Sequence, residues 1–98
     1  MARSIAGPFR SQQFTANTLI TSKRGWLGTY TIANASAASV TVTFYDEATL
    51  GLTNPFETIV IPAGQSQGIY PNADTQIGLS VGCSAWASVT ASVRWAAA

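Results

Sequence analysis

Residues 39–46, SVTVTFYD, and residues 87–95, ASVTASVRW, decide the fold. In the first, Val40, Val42 and Phe44 fall on one side of an extended chain and Thr41, Thr43 and Tyr45 on the other, because successive side chains of a strand point to opposite faces. The second repeats the pattern, with Ala87, Val89, Ala91, Val93 and Trp95 alternating with Ser88, Thr90, Ser92 and Arg94. One face reads apolar and the other reads hydroxyl and charge, the habit of a half-buried antiparallel strand.

Working outward, the apolar period stays at two almost everywhere after residue 17, and no segment carries a sustained helical stripe. The spacing predicts strands over 18–22, 26–34, 39–46, 57–62, 65–70, 76–83 and 86–95. Small polar stretches separate them. Residues 34–39 (NASAAS) suit a hairpin connection, and Pro62-Ala63-Gly64-Gln65 combines a fixed φ with a residue free to take positive φ, so tight turns are expected to join consecutive strands. Residues 49–55 (TLGLTNP) read as a longer loop and residues 71–75 (PNADT) as a polar corner. The expected fold is all-β, a single small antiparallel β-sandwich or barrel of about seven strands, in meander or Greek-key order.

Residues 1–17, MARSIAGPFRSQQFTAN, differ in kind: they have no sustained period and scatter Phe9 and Phe14 among Gln and Ser. One reading is an extended lead-in whose aromatics fold back onto the domain. The other is an N-terminal arm that reaches a neighbouring subunit, with Arg3, Phe9, Arg10 and Phe14 as its contacts. The chain therefore divides into an arm, 1–17, and a sandwich domain, 18–98.

Composition narrows the function. Only 9% of the 98 residues are charged and the net charge is +1, against about a quarter charged in ordinary domains. Such a surface repels its copies weakly and favours association, although a hydroxyl-rich sheet also stays soluble by itself. The single Cys83 has no intrachain partner and no CxxC or Cys/His company, so it reads as a small buried hydrophobe. The opening residues lack the apolar core of a signal peptide, and no stretch approaches the ~20 apolar residues of a membrane span. Synthesis in a cytoplasm, without export by the general secretory route, is the expectation.

Chemistry is bounded by what is missing. The chain has no histidine, which removes Ser-His-Asp and Cys-His arrangements. Its acids are Asp46, Glu47, Glu57 and Asp74, and nothing in their spacing sets two of them across a cleft. Asp46 and Glu47, adjacent at a strand end, point to opposite faces and suit a solvated turn; a calcium site built from them and loop carbonyls is the weaker reading. Lys23-Arg24 is the one basic pair, too little for a phosphate-binding stripe, and no glycine-rich phosphate loop is present. No catalytic residue, metal, cofactor, nucleic acid or membrane is expected. Among the aromatics, Trp95 and Trp26 share parity with apolar neighbours and read as core. Trp86 has the opposite parity to Val89 and Val93, so it and Tyr70 are the candidates for an exposed aromatic contact.

Residues 40–95, VTVTFYDEATLGLTNPFETIVIPAGQSQGIYPNADTQIGLSVGCSAWASVTASVRW, carry a resemblance. They are similar to a group of short phage virion proteins in the order of Tyr45-Asp46, a variable loop, a strand closing on Ile61-Pro62-Ala63-Gly64, the Gly78-Leu79-Ser80-Val81 strand, and a Val-rich last strand over 89–95. The match covers roughly residues 18–95; the corner at 83–86 and the N-terminal arm fall outside it. The resemblance implies a bacteriophage capsid decoration, or cement, protein: a non-enzymatic structural protein on the outer surface of the virion head. Such a protein binds the major capsid protein and itself, often as a homotrimer over capsomer junctions. The alternative is a tail or fibre-tip module that binds host glycan through Trp86, Tyr70 and the 49–55 loop. An enzyme is a distant third.

Overall fold

The alternation read in residues 40–45 is realised as a strand with one buried side. In the computed structural model, which describes residues 9–97, Val40, Val42 and Phe44 are buried while Thr41, Thr43 and Tyr45 are half-buried on the opposite side. Nine strands follow along the chain: β1 (Arg10–Phe14), β2 (Thr18–Thr21), β3 (Gly25–Asn34), β4 (Val40–Tyr45), β5 (Pro55–Ile61), β6 (Ser66–Ile69), β7 (Ala73–Asp74), β8 (Leu79–Cys83) and β9 (Val89–Ala97). Each of the expected strands is present with its ends displaced by a few residues, and β1 and β7 are additional.

The strands form two antiparallel sheets, β1-β9-β3-β6 with β7 also on β3, and β2-β8-β4-β5. The pairings nest: first with last, second with eighth, third with sixth, fourth with fifth. This is the jelly-roll arrangement, a long hairpin rolled into two Greek keys, and it is not a meander. Only β4 and β5 are neighbours in both chain and sheet. The 34–39 and 62–65 connections, expected as hairpins, instead cross from one sheet to the other. A short polar turn suits either path; the choice follows from which faces must meet.

Those faces bury Leu27, Tyr30 and Ile32 of β3, Val89, Ala91, Val93 and Trp95 of β9, Val42 and Phe44 of β4, and Leu79 and Val81 of β8 in one core. Two polar contacts tie the sheets together. Tyr30 packs on Phe44, with ring centroids 4.6 Å apart, and its hydroxyl donates to Glu57 Oε2 of β5 at 2.8 Å. Burial, with the hydrogen bond to Glu57 and its negative charge added, pushes the Tyr30 phenol well above its ordinary value. At the other end Asn34, which is buried, donates to the carbonyls of Ala38, Ile61 and Pro62 and accepts from the Ser36 amide and hydroxyl. One side chain thereby fixes both crossing turns.

Two expectations need correction. Residues 10–14 do not extend away as an arm: β1 pairs with β9 along its whole length, from Arg10 opposite Trp95 to Phe14 opposite Ala91. Phe14 is buried in the shared core. Gln12 shares the parity of Phe14 but is exposed and accepts from Trp95 Nε1 at 2.9 Å, so a glutamine conceals the period of two. The proposed boundary at residue 17 therefore cuts off a strand of the sandwich; residues 1–8, Arg3 among them, lie outside the described residues.

The second correction concerns Trp26. The β3–β9 register shifts between Leu27 and Thr29, a bulge that puts Gly28 where parity would reverse. Leu27 takes the core position; Trp26 is buried, as expected, but on the outward side of the sheet between Phe9 and Gly28, where its ring lies so close over Gly28 that a Cβ there would overlap it.

If β1 belongs to the sandwich, Phe14→Ala creates a core cavity and lowers unfolding free energy by about 3 kcal/mol. Removing residues 1–14 lowers it further, because the β9 edge loses its partner. Denaturant midpoints measure both; a truncated chain as stable as the full one would return residues 10–14 to the status of an arm.

Candidate docking surface

Asp46 and Glu47 follow β4 directly, and each carboxylate gathers three successive backbone amides. Asp46 accepts from the amides of Gln76 (2.9 Å), Ile77 (2.9 Å) and Gly78 (3.2 Å). Glu47 accepts from those of Gly51 (3.1 Å), Leu52 (2.8 Å) and Thr53 (3.0 Å), and from the buried Ser80 hydroxyl at 2.8 Å. Runs of consecutive N–H groups form concavities that bind anions, and here the anions are the chain's own side chains. The expected solvated turn is thus a clamp, because unpaired loop amides need acceptors and these two carboxylates are within reach. The same contacts occupy the oxygens that a calcium ion would need, and no cluster of three metal-binding side chains occurs among the described residues.

Burial pushes the Glu47 carboxyl up, but the hydrogen bonds from Thr53, Leu52, Ser80 and Gly51 outweigh it and hold the group below the ordinary value of 4.5. Its grip also explains Leu52, whose φ of 56° is unusual for a bulky side chain. With its amide fixed on Glu47, Leu52 folds back over Gly82 on the outward side of the second sheet. Gly78 has no room for a Cβ against the Glu47 carbonyl, so the 46–54 and 70–78 segments pack backbone to backbone. The 22–24 turn joins them through Gly25 and Thr75, which exchange hydrogen bonds at 3.0 and 2.8 Å.

This end of the sandwich collects exposed apolar side chains. Of the five large hydrophobic residues exposed among the described residues, Leu50 sits in the 46–54 loop, Tyr70 and Ile77 in the 70–78 segment, and Phe9 against Trp26; Val60, on β5, is the exception. The set is contiguous through the backbone. Phe9 and Trp26 rings lie 4.9 Å apart, Trp26 pairs with Asp74, and Asp46 joins the 70–78 segment to the loop of Leu50. Lys23 and Arg24, the basic pair, stand at the same end.

The residues singled out from sequence divide. Phe9 and Tyr70 lie on this surface, Tyr70 being 75% exposed. Arg10 and Phe14 contact their own domain: the Arg10 guanidinium lies 5.5 Å from the Trp95 ring centroid and Phe14 is buried. Trp86 is not a free platform, since it is half-buried against the core and its indole N–H donates to Asn17 Oδ1 at 2.7 Å. Cys83 is half-buried beside it, with Sγ 3.1 Å from the Ala85 carbonyl. Leu50, Ile77 and the Asp46-Glu47 clamp were missed; two acids at a strand end ahead of a Gly-containing loop were the available signal.

Comparison with protein-family models, with curated proteins and with solved structures finds no match for this chain.

The clamp predicts an acid-labile loop end. Glu47 is ionised in the fold at a lower pH than in the unfolded chain. Its contribution is therefore complete above the unfolded value near 4.5 and disappears as pH falls through the lower folded value. Glu47→Gln lowers stability at neutral pH by about 2–3 kcal/mol, a fall in Tm on the order of 10–20 °C for a domain of this size. It also flattens the acid limb of the stability profile, which thermal melts from pH 7 to 3 measure.

Proposed function

We propose that this chain is a non-enzymatic structural protein of a phage virion, a decoration protein that binds the outer surface of the head and stabilises it through its loop end. The observation that carries the reading is the gathering of Phe9, Leu50, Tyr70 and Ile77 on one end whose loops are held by Asp46 and Glu47. Interfaces depend on a few large side chains presented on a surface that does not have to be ordered on binding. Three of the four carboxylates are engaged otherwise, with Asp46 and Glu47 on backbone amides and Glu57 on Tyr30. Jelly rolls occur in viral capsid proteins and also in lectins, so the fold adds support by analogy only.

The proposed partner is the major capsid protein, met by the loop end instead of an arm. Binding that favours assembled shell over free subunits stabilises the shell by that difference in affinity. Repetition over a lattice multiplies it, and a homotrimer multiplies it again. The glycan-binding alternative is weakened at Trp86, which is held by Asn17, and would rest on Tyr70.

Co-sedimentation with empty shells of the source particle tests the reading. The intact protein should bind saturably, Tyr70→Ser with Ile77→Ser should abolish binding, and Val60→Ser should leave it unchanged. Failure of the intact protein to bind, or full binding by the double variant, rejects the loop end as the shell contact. Light scattering at micromolar concentration tests the trimer separately; a monomeric mass removes it.

A further inference from the structure

The outward side of the first sheet offers a different chemistry. Register across β1, β9 and β3 sets two rows of outward residues, Ser11-Arg94-Thr29 and Gln13-Ser92-Thr31. Neighbouring strands put members of a row about 4.8 Å apart, and the rows are separated by about 6.7 Å along each strand. Opposite Thr31, β6 contributes Gly68, which leaves that flank low. A groove of about 420 Å³ lies over these residues.

Apart from Val93, whose side chain is buried, the lining is hydroxyl and amide with one cation, and it includes no acid. Arg94 is held at one end by Phe9, whose ring centroid is 5.9 Å from the guanidinium carbon. The aromatic contact leaves the planar fork of N–H donors available to an anion. A protein partner would need apolar anchors here, and the groove offers only Phe9 at its end, Val93 beneath it being buried. A chain of hydroxyl groups finds donors and acceptors at every position, because Ser, Thr and Gln side chains each provide both. A carboxylate on that chain finds the one guanidinium, in a bidentate pairing that a neutral sugar cannot make.

We infer that the outward groove of the first sheet binds an acidic oligosaccharide, with its carboxylate on Arg94 and its hydroxyls along Ser11, Gln13, Thr29, Thr31 and Ser92. The site shares Phe9 with the loop end but is otherwise formed by the sheet face, and the inference does not depend on shell binding. A virion-surface protein bearing it would present a weak glycan contact in many copies, where avidity replaces affinity.

Titrating 15N-labelled protein with a short oligogalacturonate, and with the same oligomer after reduction of its carboxyl groups, tests the inference. The acidic oligomer should shift the amides of residues 11–13, 29–31 and 92–94, and the reduced one should bind roughly tenfold more weakly, the step expected for one lost charge-assisted contact. Arg94→Gln should abolish the preference and Arg94→Lys should restore it only in part; Arg94 is exposed, so the fold survives. Thr31→Val should weaken both oligomers alike. Absence of shifts in these three segments, or an affinity unchanged in Arg94→Gln, overturns the assignment. Loss of shell co-sedimentation in Arg94→Gln without any oligomer response also overturns it and makes the face a protein contact.

Discussion

Two neighbouring carboxylates hold six backbone amides from two separate loops, and the loop end of the molecule depends on that grip. Asp46 closes on residues 76–78 and Glu47 on residues 51–53. Adjacent residues leaving a strand point in opposite directions, which is why two acids in sequence can serve two segments. A loop amide without an acceptor costs roughly 1–3 kcal/mol when it is shielded from water. The clamp removes that cost at Leu52, Thr53 and Gly78, whose bonds are part-buried; the bonds of Gln76 and Ile77 are exposed, and Gly51 also donates to the Thr49 carbonyl. What it yields is a loop end tied down at its backbone, with Leu50 and Ile77 exposed.

The jelly roll supplies the frame for that end and depends on closure at its two extremes. β1 must pair with β9 to complete the first sheet, and Phe14 is the core residue that anchors it. Between the sheets, the Tyr30 hydroxyl on Glu57 and the five hydrogen bonds of Asn34 are polar contacts in an otherwise apolar interior. They fix how the sheets register, which apolar contact alone specifies poorly. Asn34 is central because it meets both crossing turns, the points at which a wrong topology would have diverged.

What could be read from the sequence follows from how local each signal is. β4 and β9 were legible because their inward residues are apolar at every second position. β1 was hidden by Gln12, which shares the parity of Phe14 and whose amide reaches the Trp95 indole. Trp26 was misplaced because parity counting presumes a regular strand, and a bulge at Gly28 reverses it. Sheet order was not legible at all, since residues 34–39 and 62–65 would serve a hairpin as well as a crossing. The clamp escaped for a similar reason: the partners of Asp46 are amides some thirty positions away, and an amide carries no sequence identity.

The placement of the acids also alters the charge that a partner meets. The formula gives five cations against four acids, which reads as near neutrality. Asp46 and Glu47, however, direct their carboxylates into fans of N–H dipoles, and Glu57 directs its own at a buried phenol. Dipoles aimed at an anion offset much of its field beyond the site. Arg94 and Lys23 have no such enclosure and are exposed. Lys23 stands at the rim of the loop end and Arg94 on the open sheet face, while Asp74 is the exposed acid on β7. Lys23 is set among apolar side chains and Arg94 among hydroxyls, so the two cations present different chemistry.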